Sequence, residues 1–141
     1  MIKRSINEPC ACGSGVKYKK CCAALHKGAR AKDALTLMKS RFCAYAMGES
    51  KYIMRTTHGK NVDFQDDQKQ WAKSIKEFMD TTSFQSLKII EFIDADQRSS
   101  VTFKATMQTN NEESSFIEKS EFIKEKNQWY YLQGEFLNND K

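Results

Sequence analysis

The sequence predicts an α+β protein, helices first and an antiparallel meander second, preceded by a small cysteine-rich module. Three observations predict it. Hydrophobic residues recur every three to four positions up to about residue 79 and then alternate from residue 84 onward. Four of the five cysteines (Cys10, Cys12, Cys21, Cys22) fall within 13 residues. Hydrophobic residues make up 40% of the 141 positions, with nine Phe, five Tyr and two Trp, which is enough to build a core and excludes wholesale disorder.

The elements follow in order. Residues 31–48 read as an amphipathic helix, with Leu35, Met38, Phe42 and Tyr45 on one stripe, Asp33 near its start and Gly48 as its stop. Cys43 lies in this helix and reads as a buried structural thiol. A second helix covers Ser50–Thr57, with Tyr52, Ile53 and Thr56 inward. Residues 58–65 read as loop. Asp66 or Asp67 caps a third helix to about Met79, with Trp71, Ile75, Phe78 and Met79 on one side. Strands are expected at 84–93, around Val101–Gln108, at 115–125 and at Gln128–Phe136. Asn110-Asn111 and Lys126-Asn127 supply the last two turns. By alternation Glu118, Ser120 and Phe122 share one face of a strand, and Trp129 and Tyr131 share one face of the next.

Charge divides the chain at the same place as the cysteines. Residues 1–31 carry seven Lys/Arg and one acid, a net +6, while residues 32–141 carry 16 Lys/Arg and 17 Asp/Glu, a net −1. The boundary lies near Gly28–Lys32, with residues 1–30 as the module and 31–141 as the main domain. No apolar run is long enough for a transmembrane helix. Met1–Glu8 has no apolar stretch of the secretory type, so a cytoplasmic, reducing location is expected.

The cysteine segment admits three readings. Disulfides conflict with a reducing compartment, and bridges within Cys10–Cys12 or the vicinal Cys21–Cys22 pair are strained. Redox chemistry lacks a Cys-x-x-Cys pair in a βαβ context and does not explain four clustered thiols. A structural metal site explains all four: a Cys-x-Cys pair places two sulfurs on one ion, Gly13 and Gly15 bracket the turn, and Lys17–Lys20 form a short helical return to Cys21 and Cys22. The neighbouring lysines favour deprotonated thiols. His26 is an alternative fourth ligand to Cys22, read instead as a packed or solvated histidine. Gly13-Ser14-Gly15 lacks the spacing of a phosphate-binding loop.

These residues resemble a known motif. Cys10-Ala11-Cys12-Gly13-Ser14-Gly15 and Cys21-Cys22, with eight residues between Cys12 and Cys21, are similar to the SEC-C motif, the zinc-binding tail of the SecA preprotein translocase ATPase. Ala11 stands where that motif usually has Pro. The resemblance implies Zn²⁺ held by Cys10, Cys12, Cys21 and Cys22. It also extends over the main domain. Leu37-Met38-Lys39-Ser40-Arg41-Phe42-Cys43-Ala44-Tyr45, Thr57-His58, Glu118-Lys119-Ser120-Glu121-Phe122 and Gln128-Trp129-Tyr130-Tyr131-Leu132-Gln133-Gly134 resemble stretches of the bacterial YchJ family. Lys119 and Glu121 stand where the family has arginines. Membership implies a nuclear-transport-factor-two-like cone, three helices on a curved antiparallel sheet, carrying a small zinc knuckle.

Function is less constrained. One expectation is a non-enzymatic adaptor whose knuckle displays Lys17, Tyr18, Lys19 and Lys20 to an acidic protein or the ribosome. The SecA likeness suggests the export chaperone SecB as one such partner. A second is nucleic-acid binding through the same basic residues and Tyr18, weakened by the shortness of the patch and the neutrality of the main domain. A third is a ligand-binding or enzymatic cone with a candidate pocket of Arg41, Tyr45, His58, Glu118 and Tyr131, set against a structural Arg41–Glu118 pair in an aromatic core with His58 capping a helix. Four thiolates and one Zn²⁺ lower the module to +4 and the whole chain to +3. Structural zinc in such motifs is worth roughly 10–16 kcal/mol of apparent binding free energy. With two independent modules, chelation unfolds residues 9–23 and leaves the cone folded.

Overall fold

A computed structural model describes residues 5–137. Lys3 and Arg4, two of the basic residues of the amino-terminal module, lie outside them. A 3-10 turn at Tyr18–Lys20 leads to α1 (Ala23–His26), then α2 (Ala34–Met47), α3 (Ser50–Arg55) and α4 (Gln68–Thr81). Four strands follow, β1 (Ser83–Ile93), β2 (Arg98–Thr109), β3 (Glu112–Glu125) and β4 (Gln128–Leu137), in one antiparallel sheet of order β1-β2-β3-β4. This is the expected α+β meander with helices on one face. Among the described residues no helix is long and apolar enough to cross a membrane.

Local chemistry sets the element ends. The Asp33 and Asp67 side chains accept from the backbone N–H of Thr36 and Gln70, satisfying donors that the first turns of α2 and α4 leave open. Gly48 ends α2 at φ +79, a left-handed position glycine takes without a Cβ clash. Both tight turns of the meander place two residues at positive φ, Asn110 and Asn111 (52° and 66°) and Lys126 and Asn127 (53° and 64°), as a two-residue hairpin with right-handed strand twist requires.

The sheet bends at its irregularities. The β1–β2 register shifts twice, between Phe84 and Ser86 and between Ile89 and Glu91. On β4, Tyr131 faces Phe122 but Gln133 faces Glu121, so Leu132 is an extra residue. Such bulges bend and twist a strand, here into one wall of a cone. Beyond the bulge Gly134 pairs with Ser120 and Phe136 with Glu118, so these β4 residues join the inward face. The β4 edge is pinned by the segment after α3: Tyr131 N–H donates to Thr56 O and His58 N–H to Tyr131 O, each at 2.8 Å.

Two expectations about helix faces are corrected. The α2 stripe of Leu35, Met38, Phe42 and Tyr45 is only part of what is covered: Ala34, Leu37, Met38, Ser40, Arg41, Phe42, Cys43 and Ala44 are all buried, while Leu35 and Tyr45 are half-buried. The reason is that α2 is covered twice. Leu37, Met38, Phe42 and Ala44 join the main core with Trp71, Ile75, Val101, Phe103, Phe122 and Trp129, while Cys43 packs with Cys10, Cys12, Tyr18, Cys22 and Ala23 of the module. Phe78 of α4 does not close the core either. It is 44% exposed at the mouth of a cavity, against Phe84 and Tyr45.

The module and the cone are therefore packed together. His26 bonds to Tyr18 and to the Ser40 carbonyl of α2, and Arg55 of α3 donates to the carbonyls of Leu25 and His26, both at 3.0 Å. The last carbonyls of so short a helix look for partners outside it; Leu25 O also accepts from Gly28 N–H at 3.0 Å. Arg55 also lies 4.7 Å over the Tyr52 ring. The two parts read from the sequence thus touch through α1, α2 and α3.

Candidate metal centre and cone cavity

The knuckle is built by a small hairpin. Pro9 bridges Lys17 in antiparallel fashion, Cys10 N–H donates to Val16 O at 2.7 Å, and Tyr18 N–H donates to Glu8 O at 2.9 Å. Gly13 and Gly15 stand at φ +87 and +86, so the turn between the two cysteine pairs is one that side-chain-bearing residues rarely follow. The sulfurs of Cys10, Cys12, Cys21 and Cys22 all lie within 4.8 Å of one another, with Cys12 and Cys21 at 3.6 Å. A tetrahedron of thiolates about 2.3 Å from one zinc has sulfur–sulfur edges of about 3.8 Å. The four cysteines can thus hold a metal ion, and the donor set suits a closed, four-sulfur site.

Electrostatics agrees. Four neighbouring thiols cannot all ionise without a compensating cation. Hydrogen bonds from Cys12, Cys22 and Cys43 pull Cys10 well below the usual thiol range, while Cys12 and Cys22 are pushed up, chiefly by their contacts with Cys10. A divalent ion held by the four cysteines would replace those shared protons.

Two further residues were not legible as parts of this site. Cys43, fully buried on α2, places its sulfur 3.5 Å from that of Cys10. Once Cys10 is a thiolate, the Cys43 S–H is its donor, an outer-shell role for what reads in sequence as an inert core thiol. Ser14 stands 3.1 Å from the Cys21 sulfur.

His26 is not a ligand. Its Nε2–H donates to Ser40 O at 2.9 Å, so its Nδ1 accepts from the Tyr18 hydroxyl at 2.7 Å, and both ring nitrogens are used. Burial lowers its pKa and favours this neutral form. The placement of Tyr18 is also corrected. It is 6% exposed, its ring packs beside His26, and burial raises its pKa. Lys17, Lys19 and Lys20 are exposed as expected. The reason for the difference is the 3-10 turn, which sends Tyr18 inward and its lysine neighbours outward.

The second site is a cavity of about 870 Å³ between the helices and the concave sheet, open to solvent past Val62, Phe78 and Phe136. Arg41, Tyr45, Glu118 and Tyr131 all line it, together with Phe42, Phe84 and Phe116. Arg41 extends from α2. Its Nη1 donates to Thr56 Oγ1 (2.7 Å), Thr57 Oγ1 (3.1 Å) and Ile53 O (3.2 Å), and its guanidinium lies 4.6 Å over the Tyr131 ring. Glu118 Oε2 accepts from the Tyr131 hydroxyl (2.8 Å) and from Ser120 Oγ (2.7 Å). Burial, and then the Glu118 charge, raise the Tyr131 pKa, so its hydroxyl stays protonated and donating.

The expected Arg41–Glu118 ion pair does not form. Among the described residues the ion pair is Arg98–Glu121, and His58 hydrogen-bonds Glu125. Tyr131 separates the two charges, taking Arg41 on its face and Glu118 on its hydroxyl.

His58 is corrected as well. It does not line the cavity. Lys60 N–H donates to its Nδ1 at 3.1 Å, so its Nε2–H donates to Glu125 Oε2 at 2.9 Å, and its ring edges onto Tyr130 on the outer side of β4. The departure from the family pattern at Glu121 leaves the Glu118 network untouched, because Glu121 bonds to Gln133 at 2.6 Å and faces Arg98 at 3.6 Å.

Gly134 was the missed residue with a readable signal, since a glycine inside a strand often marks a close approach. A Cβ there would collide with the Glu118 carboxylate and come within 2.6 Å of the Tyr131 hydroxyl oxygen. Asn61 had no such signal. Its Nδ2 donates to Leu132 O at the bulge at 2.8 Å, across 71 residues.

The comparisons agree with this architecture. A family profile described as YchJ, middle NTF2-like domain, matches residues 33–134, and the SEC-C motif matches residues 7–24. A UPF0225 protein of Streptomyces coelicolor is 31% identical over 134 residues, spanning 92% of this chain and 96% of its own. Another from Shewanella sp. (strain MR-4) is 33% identical over 138 residues, spanning 89% and 79%. The solution structure of a SEC-C motif containing protein from Rhodopseudomonas palustris superposes with a TM-score of 0.80 at 30% identity, over 93% of this chain and all of that one. The crystal structure of a SEC-C motif containing protein from Psychrobacter arcticus gives 0.74 at 24% identity, over 94% and 84%, a likeness of fold alone.

Two outcomes are expected. Cys43→Ala leaves the four-cysteine ligand set intact but weakens metal affinity about 10–100-fold in competition with a chromophoric chelator; unchanged affinity contradicts the outer-shell role. Gly134→Ala forces Glu118 and Tyr131 apart and lowers stability by about 1–3 kcal/mol in denaturant unfolding; a neutral substitution contradicts the close packing of that network.

Proposed function

The chain belongs to the YchJ family, joining a SEC-C motif to an NTF2-like domain, and from that premise we propose that it is a binding protein whose cone takes a small molecule while a structural Zn²⁺ on Cys10, Cys12, Cys21 and Cys22 holds one wall in place. The observation that carries this reading is the cavity. It has a volume of about 870 Å³, an apolar aromatic lining, and a few polar groups converging on Tyr131. That is the composition of small-molecule sites in general, where apolar surface supplies affinity and a few placed polar groups set orientation. The free thiols of the knuckle suit a reducing compartment, so we place the protein in the cytoplasm. Metabolites screened by thermal shift are expected to include at least one that stabilises the zinc-loaded protein. Its effect should be lost on Glu118→Ala while the unliganded protein remains folded. A broad screen without a stabilising compound overturns the reading.

The exposed lysines favour a second, compatible role. Lys17, Lys19 and Lys20 project from the knuckle while Tyr18 is buried beneath them, which suits docking on an acidic surface such as an export chaperone or the ribosome. It does not suit base stacking on nucleic acid, because the only aromatic ring of that stretch faces inward. Replacing the three lysines by glutamate is expected to abolish salt-sensitive copurification of such a partner without changing the thermal unfolding midpoint. Recovery of the same partners contradicts the docking role.

A further inference from the structure

Arg41 and Glu118 are the two buried residues of formal charge among the described residues, at 8% and 9% exposure, His26 being held neutral. Both line the same cavity, and they do not pair with each other. Buried charges of opposite sign ordinarily pair or find a charged ligand, because removing each from water is costly.

Each charge is only partly satisfied by the protein. Glu118 accepts two hydrogen bonds, both at Oε2, and Arg41 donates three, all from Nη1. No side-chain nitrogen or oxygen among the described residues is both buried from solvent and without a partner. Glu118 Oε1 and the Arg41 nitrogens beyond Nη1 are therefore within reach of solvent, and both residues line the cavity. They flank one Tyr131 ring, the guanidinium over its face and the carboxylate at its hydroxyl. The other charged residue of the lining, Asp63, is exposed. Around this polar pair the walls are aromatic and aliphatic, with Phe42, Phe84, Phe103 and Phe116 among them.

We infer that the cone binds an apolar zwitterion: a small molecule whose ammonium group pairs with Glu118, whose carboxylate pairs with Arg41, and whose apolar body lies against the aromatic wall. The inference rests on the ligand-binding reading of the cone and names its ligand class. A monocation leaves Arg41 unpaired, a monoanion leaves Glu118 unpaired, and a neutral apolar molecule leaves both. Each loses a charge-assisted contact that the zwitterion makes.

A matched series tests it on the zinc-loaded full chain: L-phenylalanine, 2-phenylethylamine and 3-phenylpropionate, which share one apolar body and differ in charge. Isothermal titration is expected to show L-phenylalanine binding at least about tenfold more tightly than either analogue. Glu118→Gln keeps the shape and both hydrogen-bonded neighbours, and is expected to remove the preference for L-phenylalanine over 3-phenylpropionate. Arg41→Gln does the same relative to 2-phenylethylamine. If Arg41→Gln fails to fold, Glu118→Gln and the wild-type series still decide. An analogue that binds as tightly as L-phenylalanine, or L-phenylalanine binding unchanged in Glu118→Gln, overturns the zwitterion and leaves the ligand-binding cone standing. Binding of none of the three also overturns the zwitterion, and the broad metabolite screen alone then decides whether the cone binds anything.

Discussion

Helix α2 is buried on two opposite sides, and the rest of the structure depends on that. Four consecutive residues divide the work. Ser40 gives its carbonyl to His26, and its hydroxyl donates to Leu37 O and sits 2.6 Å from the Tyr52 hydroxyl. Arg41 reaches through Thr56 and Thr57 into the cavity. Phe42 packs on Phe84 in the core, and Cys43 meets the sulfur of Cys10. A helix with one apolar stripe can face one layer only. This one faces a sheet and the cysteine knuckle at once, so the candidate metal site and the cavity share a wall one helix thick.

That sharing would give a metal held by the four cysteines a physical role without any chemistry at the ion. A four-sulfur site leaves no open position for substrate. An ion there would close residues 10–22 into a compact unit that covers Cys43, beside α1, which Arg55 and His26 tie to α3 and α2. The cavity gains a supported wall, with the Arg41 guanidinium held by three acceptors from α3 and the segment after it.

Much of this was legible in the sequence, for identifiable reasons. The change of period marked the helix-to-strand transition, and Asn110-Asn111 and Lys126-Asn127 marked turns that fold through positive φ. The four clustered cysteines could be read from spacing and from the SEC-C resemblance. Alternation put Glu118 and Ser120 on one strand face and Tyr131 with Trp129 on the next, and those faces line the cavity or core. What stayed hidden was set by contacts distant in sequence. The double burial of α2 erases its stripe, so periodicity reported half its contacts. Tyr18 sits among lysines and looked displayed, but its hydroxyl has a buried partner eight residues on. His58 showed no carboxylate partner because Glu125 is 67 residues away. The extra residue at Leu132 brings Gly134 and Phe136 onto the inward face opposite Ser120 and Glu118, which no simple alternation predicts.

The central claim is that metal site and cone are one cooperative unit joined through α2. Native-state hydrogen exchange with and without Zn²⁺ tests it most directly. On metal removal, the amides of residues 40–44 in α2 should lose protection together with those of residues 9–23. Loss confined to residues 9–23, with α2 as protected as in the zinc-loaded protein, would contradict it.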